Sequence, residues 1–195
     1  MRLIALDHTD DVIGSIRHAI RTAAFIKEDP QSWKWVCLAL HSALQGACIS
    51  HLMTTCEPLG AVTDHNAEEW LRHLNDEQMA RPRTYLAPLP DLLKKIRKPN
   101  SAGDGSESAG IHISESEIAW LLRFHHEIRN QLIHFEPMGW TVDVSGVSDL
   151  AAVIARIIGQ IVDHGWGFRH VAPDRLDGLR DGLHRLRNLD WPNDQ

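Results

Sequence analysis

The chain has 195 residues, 43% of them hydrophobic and 24% charged, with a formal net charge of −6. That length and composition suit one globular domain with a real core. The acidic balance excludes a protein coated in nucleic acid or pressed to an anionic membrane, although it leaves room for a local basic groove. No stretch approaches the roughly 20 apolar residues of a membrane span.

The opening MRLIALDHTDD meets acid too soon for a secretory signal, so a cytoplasmic chain is expected. A first helix is expected from about Thr9 to Lys27, with Val12, Ile16, Ala19, Ile20, Ala23 and Ala24 at helical spacing. Asp29-Pro30 stops it, and Pro30 opens a second helix from about Gln31 to Thr55. That helix is the most apolar segment, with Val36, Leu40, Ala43, Leu44, Ala47, Cys48 and Leu52 in one stripe. The three cysteines, Cys37, Cys48 and Cys56, lie in or beside it at spacings of eleven and eight. They read as reduced packing residues rather than a disulfide or zinc framework.

After Pro58-Leu59-Gly60 comes an acidic stretch with Asp64, Glu68, Glu69, Asp76 and Glu77, expected as a shorter helix. RPRTYLAPLPDLLKKIRKPN reads as a looped connection into a short basic helix. Its run of Arg81, Arg83, Lys94, Lys95, Arg97 and Lys98 is either a guide for RNA phosphates or a solvated surface. PNSAGDGSESAG has no large apolar residue, so an exposed, flexible loop is expected near 99–111.

Beyond the loop, Ser114 or Ser116 can cap a helix, and Glu117 completes a capping box with Ser114. Ile118, Leu121, Leu122, His125, Ile128 and Leu132 share one face of it. MGWTVDVSG alternates Trp140, Val142 and Val144 with polar residues, which predicts one short strand or extended arm. Ser148 or Asp149 starts another helix, with Leu150, Ile154, Ile157, Ile158 and Ile161 buried. The last helix, about Asp174 to Leu189, spaces Leu176, Leu179, Leu183 and Leu186 for docking onto the bundle or a partner. The seven tryptophans read mostly as core, with Trp140 close enough to the segment described next to stack on a base. The sum is an all-α bundle forming a single domain over 1–195.

The chemistry gathers in HHEIRNQLIHFEP, His125 to Pro137. At about 100° per residue, Arg129 falls on the rim of the apolar face, and Asn130 and His134 lie one turn apart on the neighbouring face. Histidine exchanges protons near neutral pH, arginine offers a charged fork matched to phosphate oxygens, and asparagine can position either. That set suits a phosphodiester. The plain alternative is that Arg129 and His134 are rim residues satisfied by Glu127 and Glu136. His41 and Gln45, one turn apart on the second helix and opposite its apolar stripe, either line the same cleft or cap buried polar contacts. His125 reads as a satisfied core histidine, and His126 could reach substrate. Cys37, four residues before His41, reads as ordinary helix packing. His164 and His170 flank GWGFR without the convergent spacing of a metal site, so neither metal nor cofactor is expected. No Walker loop and no Gly-x-Ser-x-Gly elbow is present.

RNQLIHFEPMGW, together with the early helix WKWVCLALHSALQGA, resembles the HEPN superfamily (higher eukaryotes and prokaryotes nucleotide-binding domains) over about 130 residues. The resemblance implies an all-helical bundle of four or five core helices whose late helix carries Arg, a polar residue and His. It implies a metal-independent endoribonuclease that works as a homodimer, with two copies of the motif in one cleft. By this likeness His134 assists attack of a ribose 2′-hydroxyl on the adjacent phosphate, Arg129 stabilises the developing charge, and Asn130 orients a phosphate or His134. It also implies a toxin or phage-defence role, with an antitoxin or nucleotidyltransferase partner. The alternative is a non-catalytic helical module that binds a nucleotide or a protein partner, or a purely structural helical dimer.

Overall fold

The computed structural model describes residues 3–4, 7–53, 58–76, 78–105, 107–134, 139 and 141–192. Cys56, Glu77, Glu136, Pro137 and Trp140 therefore lie outside the described residues. The described chain is all-helical, and its one β-type contact is an isolated bridge between Val62 and Leu86. Among the described residues no helix is long and apolar enough to cross a membrane.

Helix α1 (His8–Ala23) begins where the Asp7 carboxylate accepts the Asp10 N–H at 2.7 Å. That bond and one from the Thr9 hydroxyl hold the Asp7 carboxyl below its ordinary pKa. The helix buries Val12, Ile16, Ala19, Ile20 and Ala23, the stripe expected from their spacing. It ends earlier than expected, and residues 24–28 form turns that bury Ile26. Helix α2 (Ser32–Leu52) is the axis of the molecule, packed against α1, two later helices and the motif segment. It is buried nearly all round, so His41, Ser50 and His51 are carried inside with the aliphatic residues. Gly46 lets α1 approach closely, because a Cβ there would meet Val12 Cγ2 at 2.9 Å.

Helix α3 (Asp64–Asn75) is the expected acidic helix, capped by Thr63, and α4 (Leu89–Ile96) is the short basic one, opened by its prolines. Helix α5 (Glu115–Arg123) carries the capping box in full, with Ser114 and Glu117 satisfying each other's backbone N–H. It continues into a π-helical segment, Phe124–Arg129, and then a last turn, α6 (Asn130–Ile133). Helix α7 (Val147–His164) starts at Gly146, at φ 76°, and stops at Gly165, at φ 85°. Only glycine suits Gly146 twice over, since a Cβ would also meet the Trp120 ring at 2.6 Å. A 3₁₀ turn (Trp166–Phe168) leads to α8 (Pro173–Arg187), which buries Leu179, Leu183 and Leu186 against α1 and α7.

One apolar cluster runs from Val12 to Leu186 through α1, α2, α4, the motif segment, α7 and α8. Arg156 of α7 bonds Glu117 at 2.7 Å and so ties α7 to the start of the motif helix. Of the strand or extended arm expected after the motif, the described residues 141–144 form no strand: they are irregular, and Val142 and Val144 pack half-buried on the core. Asp143 explains the arrangement, because it accepts from the Ser145 N–H at 3.0 Å and from Arg123 at 3.1 Å. Those bonds replace the ladder a strand would need. Of the described tryptophans only Trp70 is fully buried; Trp35 is exposed, and Trp33 stacks on Trp191 at 5.6 Å.

The Gly/Ser-rich segment after α4 has no regular structure, but its expected exposure does not hold throughout. Ala102 is 1% exposed. Two histidines, His51 buried and His164 half-buried, hold the segment: His51 Nε2 lies 2.8 Å from Ser101 Oγ, and His164 Nε2 lies 3.0 Å from Ser108 Oγ.

Candidate functional site

The motif sits where the helix changes pitch. A π segment closes wider backbone rings than an α-helix and inserts a residue into the turn, and such segments recur at functional sites. From Phe124 onward the ideal wheel no longer applies. His134 leaves the helix altogether, at φ −103° and ψ 84°, while its N–H still donates to the Asn130 carbonyl at 2.8 Å.

Arg129 is half-buried at the end of the π segment. Its Nη1 donates to Asn130 Oδ1 at 2.8 Å, and its Nε is buried with no partner. Glu127 does not serve it: that carboxylate accepts from Arg123 Nε at 2.9 Å, and Arg123 also holds Asp143. Among the described residues no carboxylate pairs with Arg129. A guanidinium left half-buried without an anion is electrostatically unbalanced, and an incoming anion would balance it.

Two histidines stand beside this cation. His41, on α2, is 4% exposed, and its Nε2 lies 2.9 Å from His125 Nδ1. The two rings stack at 5.2 Å, and His126 meets His125 edge-on at 4.9 Å. Burial pushes the His41 pKa down to about 3, with the Arg129 and His125 charges acting in the same direction. Burial also holds His125 below its ordinary value, helped by His126 and Arg129. His41 is therefore neutral at pH 7 and has one ring N–H. The short contact needs one hydrogen between the two nitrogens, so the tautomer of His41 dictates whether the remaining His125 nitrogen, Nε2, carries a hydrogen or offers a lone pair.

The structure thus brings Arg129, Asn130, His125 and His41 into one polar cluster beneath the motif. His134 is exposed, and no hydrogen bond joins its ring to Arg129 or Asn130. Asn130 meets Arg129 rather than His134. His41 lies inside rather than opposite the apolar stripe, and it both caps a buried polar contact and touches the motif. Sequence spacing gave no sign of that contact, since its partners are 84 residues apart.

Other residues of interest are mostly occupied. Arg81 covers the Trp70 ring at 5.1 Å and Arg83 the Tyr85 ring at 5.6 Å. Lys94 pairs with Asp91, Lys95 with Asp64 and the Val62 carbonyl, and Arg97 with Glu115. The basic run is thereby spent largely on local partners. Burial raises the Cys37 thiol to about 12, which leaves no thiolate for His41 to activate. His164 turns to His51 and Ser108 rather than to His170. Among the described residues no group of three or more His, Cys, Asp or Glu side chains could hold a metal ion.

No protein-family model matches the chain, and no curated protein or solved structure matches it.

Proposed function

We propose that this protein is a metal-independent endoribonuclease of HEPN type that cleaves RNA as a homodimer through Arg129, Asn130 and His134. The observation that carries this reading is the half-buried Arg129 guanidinium, which has no carboxylate partner among the described residues and lies beside two neutral-leaning histidines. In the reaction, a histidine takes the proton of a ribose 2′-hydroxyl. The 2′-oxygen then bonds to the adjacent phosphorus and the bond to the 5′-oxygen breaks. The products are a 2′,3′-cyclic phosphate end and a 5′-hydroxyl that receives a proton. His134 is the base in this scheme, Arg129 donates to the phosphate oxygens as charge builds, and Asn130 holds the guanidinium in place. A protein with this activity would need restraint, and an antitoxin or nucleotidyltransferase partner is the kind expected for a toxin or defence effector.

The second reading is a non-catalytic module that binds a nucleotide or a protein partner. It is favoured by the exposed His134, which shares no hydrogen bond with Arg129. Incubating purified protein with total RNA in EDTA, beside Arg129→Ala and His134→Ala at equal concentration, separates the two. Cleavage by the unaltered chain alone, with cyclic-phosphate ends, is the expected result. Cleavage that survives both substitutions removes the site assignment, and none by the unaltered chain favours the binding module.

A further inference from the structure

A cleft of about 750 Å³ lies between α1 and α8, and none of the motif residues lines it. The two helices run in the same direction: Arg175 pairs with Asp10 near their starts, and a Cβ on Gly182 would meet Ile16 Cγ2 at 3.1 Å further along. Their C-terminal halves therefore lie side by side. Arg17 and Arg21 come from α1 and Arg185 from α8, all lining the cleft.

These arginines differ from four arginines that hold carboxylates elsewhere or at the cleft's edge. Arg175 has Asp10, Arg123 has Glu127 and Asp143, Arg156 has Glu117, and Arg97 has Glu115. Arg17, Arg21 and Arg185 take no carboxylate among the described residues, although Asp181 lines the same cleft. Cations near helix C-termini complement the helix dipole, which accounts for Arg21 and Arg185 in the last turns of α1 and α8. It does not account for Arg17, which stands a turn earlier. The lining holds four arginines and two aspartates, and Arg17, Arg21 and Arg185 are exposed, so the cleft carries an excess of positive charge that an anion would balance. The lining pairs that charge with aliphatic surface from Ile13, and the volume falls in the usual range for a small-molecule site.

We infer that the α1–α8 cleft binds a ligand carrying two or more phosphate groups, gripped by Arg17, Arg21 and Arg185. Guanidinium forks match phosphate oxygens two at a time, and neighbouring phosphates of one ligand can each engage a different fork. The site is independent of the ribonuclease reading, and the same chemistry is offered by a free phosphorylated molecule or by the backbone of an RNA strand.

Binding of inorganic tripolyphosphate and of a fluorescent, fully 2′-O-methylated RNA 12-mer would be measured with the full-length protein, the methylation blocking any cleavage through the 2′-oxygen. Arg17→Gln/Arg21→Gln/Arg185→Gln is expected to weaken whichever probe binds by about tenfold or more, since it removes the forks and keeps good helix formers. Arg83→Gln/Lys94→Gln/Lys98→Gln, with the same charge removed elsewhere, is expected to leave affinity unchanged. Asp181→Asn is expected to tighten binding several-fold, a gain that no folding defect can imitate. Affinity should also fall steeply with salt. Tripolyphosphate binding alone assigns a free phosphorylated ligand, and RNA binding alone assigns a strand. Binding of neither probe, or binding indifferent to the arginine substitutions, overturns the inference. Arg129→Ala should leave tripolyphosphate affinity intact while cutting cleavage sharply, and the arginine substitutions in the cleft should still weaken RNA binding in that background, so the two proposals fail separately.

Discussion

Two histidine pairs, each with one buried and one half-buried member, sit in this bundle, and their surroundings are opposite. His41 and His125 touch through ring nitrogens 2.9 Å apart, beside a guanidinium with no carboxylate among the described residues. His51 and His164 meet edge-on at 5.0 Å, and each has a serine hydroxyl of the 99–110 segment on its Nε2. Asp104 stands 4.0 Å from His164 Nδ1. The second pair is close to balanced in charge: a hydroxyl takes the Nε2 of each ring and a carboxylate is at hand, while both Nδ1 atoms are buried without a hydrogen bond among the described residues. The first pair is unbalanced in favour of positive charge. Buried polar groups are ordinarily satisfied, so a cluster left short of an anion marks where a ligand belongs. By the same reasoning the balanced pair is a fastening.

That contrast is broken or upheld most sharply by truncating one member of each region. Arg129→Ala should lower RNA cleavage by about 10²–10³-fold, the usual loss when a preorganised charge donor is removed, with little effect on the urea midpoint. His51→Ala should do the reverse. It opens a cavity at a residue 1% exposed and leaves the Ser101 hydroxyl with only its bond to the Ile96 carbonyl, for a loss of about 2–4 kcal/mol, while cleavage per folded molecule stays the same. A urea titration of each variant, paired with a cleavage rate in EDTA, reads both quantities. If Arg129→Ala proves as destabilising as His51→Ala, Arg129 is a structural residue and the contrast disappears.

How much of this was legible in the sequence follows from the range of each interaction. The helices were legible, because apolar spacing and caps such as Ser114 with Glu117 act within a few residues. The motif helix was legible up to Arg123. Beyond it a π segment shifted every later side chain, and residue types alone do not announce an inserted residue. Alternation after the motif left a short strand and an extended arm both open, and among residues 141–144 it is not a strand, because Asp143 holds the segment by local bonds. The two histidine pairs were invisible, since their members stand 84 and 113 residues apart and pair only through packing. The Gly/Ser-rich composition likewise predicted irregular backbone but gave no sign of the two histidines that hold it.

Acid should tell the two pairs apart by sign. Burial pushes His41 down to about 3 and His51 down to about 4, against about 6.5 for an unfolded histidine. Below pH 6.5 the unfolded chain takes up protons that the folded chain refuses. Stability is therefore full above about 6.5 and is lost as the pH falls toward 4, by an amount on the order of a few kcal/mol in all. The neighbours act oppositely, since Arg129 depresses His41 whereas Asp104 lifts His51. Arg129→Met should therefore soften the acid loss, and Asp104→Asn should steepen it. Urea midpoints at pH 7 and pH 5 measure both changes, and a shift in the same direction for the two variants would mean that the pairs do not differ electrostatically as described.

The smallest effect concerns the fastening itself. Ser108→Ala removes one hydroxyl from His164 and leaves the His51–Ser101 contact in place. The cost should be about 0.5–1.5 kcal/mol, close to the limit of a denaturation curve. Limited proteolysis is a more sensitive reading, because cleavage reports local opening rather than global unfolding. Among the described residues between Ser101 and Ser108, the backbone is held by the Gly103 N–H on the Asn100 carbonyl and by the Asn100 N–H on the Ser108 carbonyl. Releasing the Ser108 side chain should therefore speed nicking within 103–108 several-fold while α2 and α7 remain resistant. Ser101→Ala should act in the same way through His51, and also frees the Ile96 carbonyl at the end of α4. If neither variant changes the nicking rate, the histidines do not hold the segment. The second pair would then be as unbalanced as the first, and buried histidine contacts would no longer distinguish a site from a fastening.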